Sequence, residues 1–193
     1  LDTLNALGEV ADKILVGGAM AYTLLKAQGV SIGKSLVEED KIEVAKEIIS
    51  KYGAKLVLPV DHMVATEFSD SASYNYISEQ NISDGMIAID IGLETIKLFK
   101  QEISNAKSIL WNGPMGVFEW SHSGVGTQEI GQSITNNAEA FKFAGGGDSI
   151  AAINKFHLQG FDHVSTGGGA MLAFLAYDKF NTLYVIFASK HSL

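Results

Sequence analysis

Between residues 141 and 176 the chain twice runs a short apolar stretch into three consecutive glycines and then into an apolar repeat of helical spacing. First, Phe141-Lys142-Phe143-Ala144 leads into Gly145-Gly146-Gly147-Asp148-Ser149, and residues 150–156 keep helical spacing. The second instance is His163-Val164-Ser165-Thr166, then Gly167-Gly168-Gly169-Ala170, then 171–176. Each reads as a strand, a tight turn and a helix. Glycine lets the backbone take positive φ and lets a ligand approach the main chain, while the free N–H groups and dipole of the new helix attract an anion. Two such turns would aim two helix starts at one polyphosphate. Taken singly, a triple glycine also fits a flexible loop or a close helix–sheet approach.

The rest of the chain repeats the alternation. Helical spacing over 2–11 precedes the apolar run Lys13-Ile14-Leu15-Val16, which ends at Gly17-Gly18, and helical spacing resumes over 19–28. An amphipathic helix is expected over 39–52, a strand at Lys55-Leu56-Val57-Leu58, and loop with short strands over 61–81. Met86-Ile87-Ala88-Ile89-Asp90 reads as a strand reaching Gly92 before a helix over 93–104. Ser108-Ile109-Leu110-Trp111 reads as another, broken by Asn112-Gly113-Pro114, with a weaker helix over 126–137. Strands alternating with helices predict an α/β fold: a doubly wound, mostly parallel, Rossmann-like sheet with helices on both faces. In such sheets ligands sit at the carboxyl ends of the strands. The strand ends at Gly17, Gly92, Asn112, Gly145 and Gly167 are therefore expected on one shared edge.

Composition narrows the ligand. With 193 residues and 47% apolar content, the chain fills one domain. It contains no cysteine, which excludes disulfides and thiolate metal sites and fits a cytoplasmic setting. The formal net charge is −8, and all 14 basic residues are lysine. An acidic, arginine-free surface repels nucleic acid and anionic membranes, and no apolar run approaches the roughly 18 residues of a membrane span. The start Leu1-Asp2-Thr3 has neither a basic leader nor an initiator methionine, so no signal peptide is expected and the chain reads as a fragment. Without the arginine fork, a small anionic ligand falls to backbone N–H groups, lysine or a metal ion.

Several motifs fail on inspection. Gly29-Val30-Ser31-Ile32-Gly33-Lys34-Ser35 has one residue too few between its glycines for a Walker A loop and follows a helix where a strand is needed. Gly124-Val125-Gly126 is followed by Glu129 where the dinucleotide fingerprint requires glycine, which disfavours an oxidoreductase. His62, His122, His157, His163 and His191 show no metal-ligand spacing, and no Gly-x-Ser-x-Gly elbow exists. Asp148 opens the helix after the first glycine turn. It suits either the helix N-terminus or, beside a polyphosphate, a Mg²⁺ ion. Asn112 and Glu119 flank a turn and are within plausible reach of ribose hydroxyls.

As a set, these residues resemble the C-terminal, nucleotide-binding domain of the phosphoglycerate kinase family. The resemblance rests on Gly17-Gly18-Ala19-Met20-Ala21-Tyr22-Thr23, Gly33-Lys34-Ser35-Leu36-Val37-Glu38-Glu39-Asp40-Lys41, Leu58-Pro59-Val60-Asp61 and Ile89-Asp90-Ile91-Gly92. It continues through Trp111-Asn112-Gly113-Pro114-Met115-Gly116-Val117-Phe118-Glu119, the most specific stretch, and both glycine turns. It implies an adenine slot formed by Gly17, Gly18, Ile89, Pro114 and Val117, with Asn112 and Glu119 at the ribose. It further implies a phosphate and Mg²⁺ site at Gly145, Gly146, Gly147, Asp148 and Ser149, with Asp148 as metal ligand. Gly147, Gly167, Gly168 and Gly169 would meet the transferring phosphoryl group.

The implied activity is glycolytic phosphoryl transfer from 1,3-bisphosphoglycerate to MgADP, giving 3-phosphoglycerate and MgATP, in a family that is typically monomeric. The resemblance covers 1–176. The family's N-terminal domain, which holds the glycerate substrate, and a strand bearing Gly-Gly-Ala-Lys lie outside these residues, so the isolated chain is expected to be a poor kinase or a nucleotide-binding module only. Residues 177–193 read as a divergent tail. Its β-prone run Thr182-Leu183-Tyr184-Val185-Ile186-Phe187-Ala188 is expected to be exposed and prone to stray pairing.

Overall fold

The structure, a computed structural model, describes residues 1–120, 122–166 and 182–189. In chain order the elements are α1 (Asp2–Val10), β1 (Lys13–Gly17), α2 (Gly18–Ala27), a 3₁₀ turn (Glu39–Lys41), α3 (Ile42–Tyr52), β2 (Leu56–Val57), β3 (His62–Ala65) and β4 (Tyr74–Ile77). Then come β5 (Ile87–Ile91), α4 (Leu93–Asn105), β6 (Ser108–Asn112), α5 (Val125–Asn136), β7 (Phe141–Gly145), α6 (Gly147–Lys155), β8 (His163–Ser165) and β9 (Leu183–Ser189). The expected helices and strands are present within a residue or three of their sequence bounds. The segment 171–176 and the glycines Gly167, Gly168 and Gly169 lie outside the described residues.

Six strands form the main layer in the order β2-β1-β9-β6-β7-β8, every pairing parallel. A parallel sheet must be covered on both faces, and the continuous apolar runs of β1 and β6 meet that demand. On one face Ile14, Val16, Leu110, Val185 and Phe187 pack with Leu4 and Leu7 of α1, Leu24 of α2 and Ile48 of α3. On the other, Leu15, Ile109, Trp111 and Ile186 pack with Phe99 and Ile103 of α4, Ile130 of α5 and Ala152 of α6. This is the doubly wound α/β arrangement expected from the sequence.

Two expectations are corrected. The run 182–188 is not an exposed hazard: β9 lies at the centre of the main sheet, hydrogen-bonded to β1 on one side and β6 on the other. Leu183, Val185 and Ile186 are at most 1% exposed. Uninterrupted β-branched and apolar residues suit a strand buried on both faces as well as they suit a sticky edge, and composition does not distinguish the two. The second correction concerns β5, which does not join the parallel sheet. It pairs antiparallel with β3, which pairs antiparallel with β4, in a separate three-stranded sheet. Gly92 therefore ends a strand of this smaller sheet and does not share the edge of Gly17 and Asn112. Its partners are short and come from the polar stretch 61–81, where periodicity is too weak to announce them.

Two buried carboxylates tie the sheets to the helices. Asp61 accepts hydrogen bonds from the backbone N–H groups of Glu94 and Thr95, each at 2.7 Å, from the Thr95 hydroxyl, and from Tyr76 Oη at 2.6 Å. It thereby serves the first turn of α4, whose flanking Gly92 has no side chain to do so. A Cβ at Gly92 would stand 2.3 Å from the Asp61 carboxyl carbon, so the approach requires glycine. Burial raises the Asp61 pKa, but the bonds from Thr95 and Tyr76 outweigh it and hold the carboxyl below its ordinary value.

Asp90, 3% exposed, accepts from the N–H groups of Gly126 (2.9 Å), Ile91 (2.9 Å) and Gly124 (3.1 Å), joining β5 to the start of α5. Here burial wins and pushes the carboxyl up to about 6.

Truncating a fully buried side chain of β9 tests its central placement. Ile186→Ala is expected to cost roughly 2–5 kcal/mol in urea titration, as for any core isoleucine, whereas a change in an exposed tail stays within about 0.5 kcal/mol. Asp90 carries a pH dependence of definite sign. Because its folded pKa exceeds its unfolded one, its stabilising contribution is full below about pH 4 and is lost as pH rises through about 6. Asp90→Asn, whose amide oxygen still faces Gly124 and Gly126, should remove this slope. Urea midpoints of the two proteins at a series of pH values between these limits should diverge, and parallel curves would show that Asp90 does not titrate there.

Candidate functional site

The carboxyl ends of β1, β9, β6 and β7 converge on one edge of the main sheet, because parallel register carries Gly17, Ala188, Asn112 and Gly145 to similar heights. Gly17 is level with Ala188, Asn112 with Phe187, and Asn112 with Gly145. At this edge Gly17 and Gly18 open α2. Gly18 takes φ +61° and its N–H donates to Met115 O at 3.0 Å, while a Cβ on Gly17 would stand 2.8 Å from Met115 Sδ. The turn after β6 is thus pressed against the turn after β1.

The turn after β6 is held from several sides. Gly113 takes φ +108°, a region that side chains avoid, and its N–H donates to Ser149 Oγ at 2.7 Å. Its carbonyl accepts from Trp111 Nε1 at 2.8 Å. Further along, Met115 N–H donates to Thr127 Oγ1 at 3.0 Å, and Val117 N–H donates to Ile89 O at 2.8 Å. Val117 and Ile89 also share a small apolar cluster with Ala65. Pro114 is buried, Asn112 is half-buried and Glu119 is exposed.

The first glycine turn forms the open part of the site. Gly146 takes φ +88° as the residue before α6, and its N–H donates to Ser165 O at 3.1 Å. A Cβ on Gly146 would lie 2.8 Å from Asn112 Oδ1, so the turn approaches Asn112 closely. Gly147, the first residue of α6, has none of the described residues within 4 Å of where a Cβ would stand, its own helix backbone and chain neighbours aside. Among the described residues no side chain caps this helix start, which leaves its N–H groups and dipole for a ligand. Asp148 sits in the first turn, half-buried. Ser149 is completely buried, its hydroxyl engaged by Gly113, so its side chain braces the turn.

The structure thus brings Gly17, Gly18, Asn112, Pro114, Gly145, Gly146, Gly147, Asp148 and Ser149 to one edge, with Ile89 and Val117 joined by a hydrogen bond from the smaller sheet. Gly167, Gly168 and Gly169 follow β8 and lie outside the described residues. Sequence reasoning missed Met115, Trp111 and Ala188, which contact the turns at Gly17 and Gly113.

An apolar cavity of about 120 Å³ lies elsewhere, lined by Met63, Tyr76, Asp90, Leu93, His122 and Val125 among others. None of the residues expected to hold nucleotide lines it. Asp90 is already occupied by three N–H groups. The stretch Gly29 to Ser35, rejected as a Walker loop, supports the smaller sheet: Lys34 N–H donates to Met86 O at 2.8 Å, and Ser35 Oγ accepts from Ala88 N–H at 3.0 Å. Among the described residues no helix is long and apolar enough to cross a membrane, and no group of three or more metal-ligating side chains gathers in one place.

Comparison with known proteins agrees with this fold. The family profile described as phosphoglycerate kinase matches residues 1–177. The phosphoglycerate kinase of Lactobacillus delbrueckii subsp. lactis is 51% identical over 166 residues, covering 86% of this chain and 41% of that protein. That of Limosilactobacillus fermentum is 49% identical over 179 residues, covering 92% and 44% respectively. The chain therefore spans less than half the length of these curated relatives. Among solved structures, phosphoglycerate kinase from Coxiella burnetii superposes with a TM-score of 0.83 at 39% identity, covering 89% of this chain and 45% of that one. The Pyrococcus horikoshii phosphoglycerate kinase gives 0.72 at 31% identity, covering 89% and 44%. A profile match over most of the sequence, joined to a shared fold, places this chain in the phosphoglycerate kinase family.

Proposed function

We propose that the chain supplies the nucleotide half of a phosphoglycerate kinase, binding MgADP or MgATP along the edge formed by β1, β6 and β7. The observation that carries this reading is the open, uncapped start of α6 at Gly147, beside the glycine turn that meets Asn112. In this reading the adenine lies between the Gly17–Gly18 turn and Ile89, Pro114 and Val117, which are buried and apolar, while Asn112 and Glu119 take the ribose. The phosphates lie over Gly145, Gly146 and Gly147, where backbone N–H groups do the work that arginine does in other phosphate sites. Gly167, Gly168 and Gly169 belong to the same proposal by family resemblance.

Mg²⁺ fits the residues present. It is bound through one or two carboxylates together with substrate phosphates and water, so the single half-buried Asp148 in the first turn of α6 suits it without an all-protein cage. Bound there, the ion would neutralise charge on the phosphates. The overall reaction breaks the bond between the acyl oxygen of 1,3-bisphosphoglycerate and its phosphorus and forms one to the terminal oxygen of ADP, leaving 3-phosphoglycerate and ATP. Such transfer is positioning and electrostatics, and the chain's own part is to hold the nucleotide in line.

Because the chain spans under half of its relatives, a second reading is also favoured by an observation: the chain binds nucleotide without turning over. A coupled assay separates them, and we expect no turnover above background from this chain alone. Calorimetric titration with MgADP should show binding. Asp148→Asn should weaken it about tenfold, equivalent to about 1.4 kcal/mol, while leaving ADP binding in EDTA unchanged. An equal loss with and without Mg²⁺ would deny Asp148 a metal role, and no heat from the unaltered chain would sink nucleotide binding itself.

A further inference from the structure

In a doubly wound nucleotide fold the strands lie in the order 3-2-1-4-5-6, and the ligand sits where that order reverses, between the first and fourth positions. The main sheet here has six parallel strands in the order β2-β1-β9-β6-β7-β8. Counting outward, β1 and β2 hold the second and third positions, and β6, β7 and β8 the fourth, fifth and sixth. The first position belongs to β9, the last of the described strands in the sequence. The reversal therefore falls between the carboxyl ends of β9 and β6.

Contacts at both ends of β9 support this. At its start, Leu183 N–H donates to Asp12 Oδ2 at 2.7 Å, and Asp12 N–H donates to Leu183 O at 2.9 Å. Asp12 lies between α1 and β1, so β9, α1 and β1 are arranged as strand, helix and adjacent parallel strand, although the strand comes from the far end of the chain. At its other end, Ala188 is 6% exposed and level with Gly17. A Cβ on Gly113 would lie 2.1 Å from Ala188 O and 3.2 Å from Ala188 Cβ. Gly113 is the residue whose N–H engages Ser149 and whose carbonyl engages Trp111.

We infer that β9 serves as the first strand of the nucleotide fold and that Ala188 is a positioning residue, its methyl group and carbonyl setting the Asn112–Gly113–Pro114 turn at the reversal point. Only the ligand in this inference rests on the function proposed above. The hold on the turn does not.

The test uses the full chain and a reporter that needs no nucleotide. Trp111 Nε1–H donates to the Gly113 carbonyl, so its indole resonance in a ¹⁵N-labelled sample reads the turn directly. Ala188→Val, which overpacks the contact, should shift that resonance and weaken MgADP binding about tenfold. Tyr184→Phe, at the other end of the same face of β9, should do neither. If Ala188→Val does not fold, Ala188→Gly removes the methyl without overpacking and should shift the same resonance.

An unmoved Trp111 resonance in the folded variants, or amide exchange at 183–189 much faster than at 108–112, overturns the inference. A shifted resonance in a protein that never binds MgADP would sink the nucleotide reading and uphold β9 and Ala188 in their place. A shifted resonance with unchanged MgADP affinity would instead overturn the role of Ala188 in the site.

Discussion

The sheet depends on the pairing of β9 along both of its edges. A buried strand must have its N–H and C=O groups satisfied on each side, since an unpaired buried backbone group costs about as much as a lost hydrogen bond. β9 gives β1 and β6 those partners over five residue pairs each. Its alternating side chains also enter both cores: Leu183, Val185 and Phe187 join α1, α2 and α3, while Tyr184, Ile186 and Ala188 join α4, α5 and α6. One strand thus carries the hydrogen bonding between two halves of the sheet and the packing on both faces.

The candidate site inherits its shape from that layer. Strands of parallel register end at one height, and the turns that leave them are pressed together where only small residues fit: Gly17 against Met115, Gly113 against Ala188, Gly146 against Asn112. Those contacts fix the turns. Among the described residues the start of α6 at Gly147 stays open, so the least crowded point on this edge is also the one that offers backbone N–H groups. In a chain without arginine and with a net charge of −8, the proposed phosphate site relies on those backbone groups.

Much of this was legible beforehand. The periodicity of β1, β6, β7 and their helices was enough to expect a doubly wound sheet, and the triple glycine at 145–147 a tight turn from strand to helix. The motif Trp111 to Glu119 pointed to the family. The smaller sheet was less legible. Ile87 to Ile91 has the apolar run of a parallel core strand, yet it pairs antiparallel with β3, because strand character says how a residue wants to be surrounded and not by which partner. Asp61 and Asp90 were likewise ordinary acidic residues in sequence. Their roles at α4 and α5 come from elements 33 to 36 residues away.

The sequence by itself determined the local grammar: which segments are helices, which are strands, where glycine must break them, and which chemistry the breaks suit. These follow from side-chain spacing and backbone freedom, which act over a few residues. Only the tertiary structure decided where the strands go. Leu183 to Ser189 reads the same whether it hangs free or fills a gap, and its place was settled by the unpaired edges of β1 and β6, more than 70 residues distant, and by two apolar faces that needed a common centre.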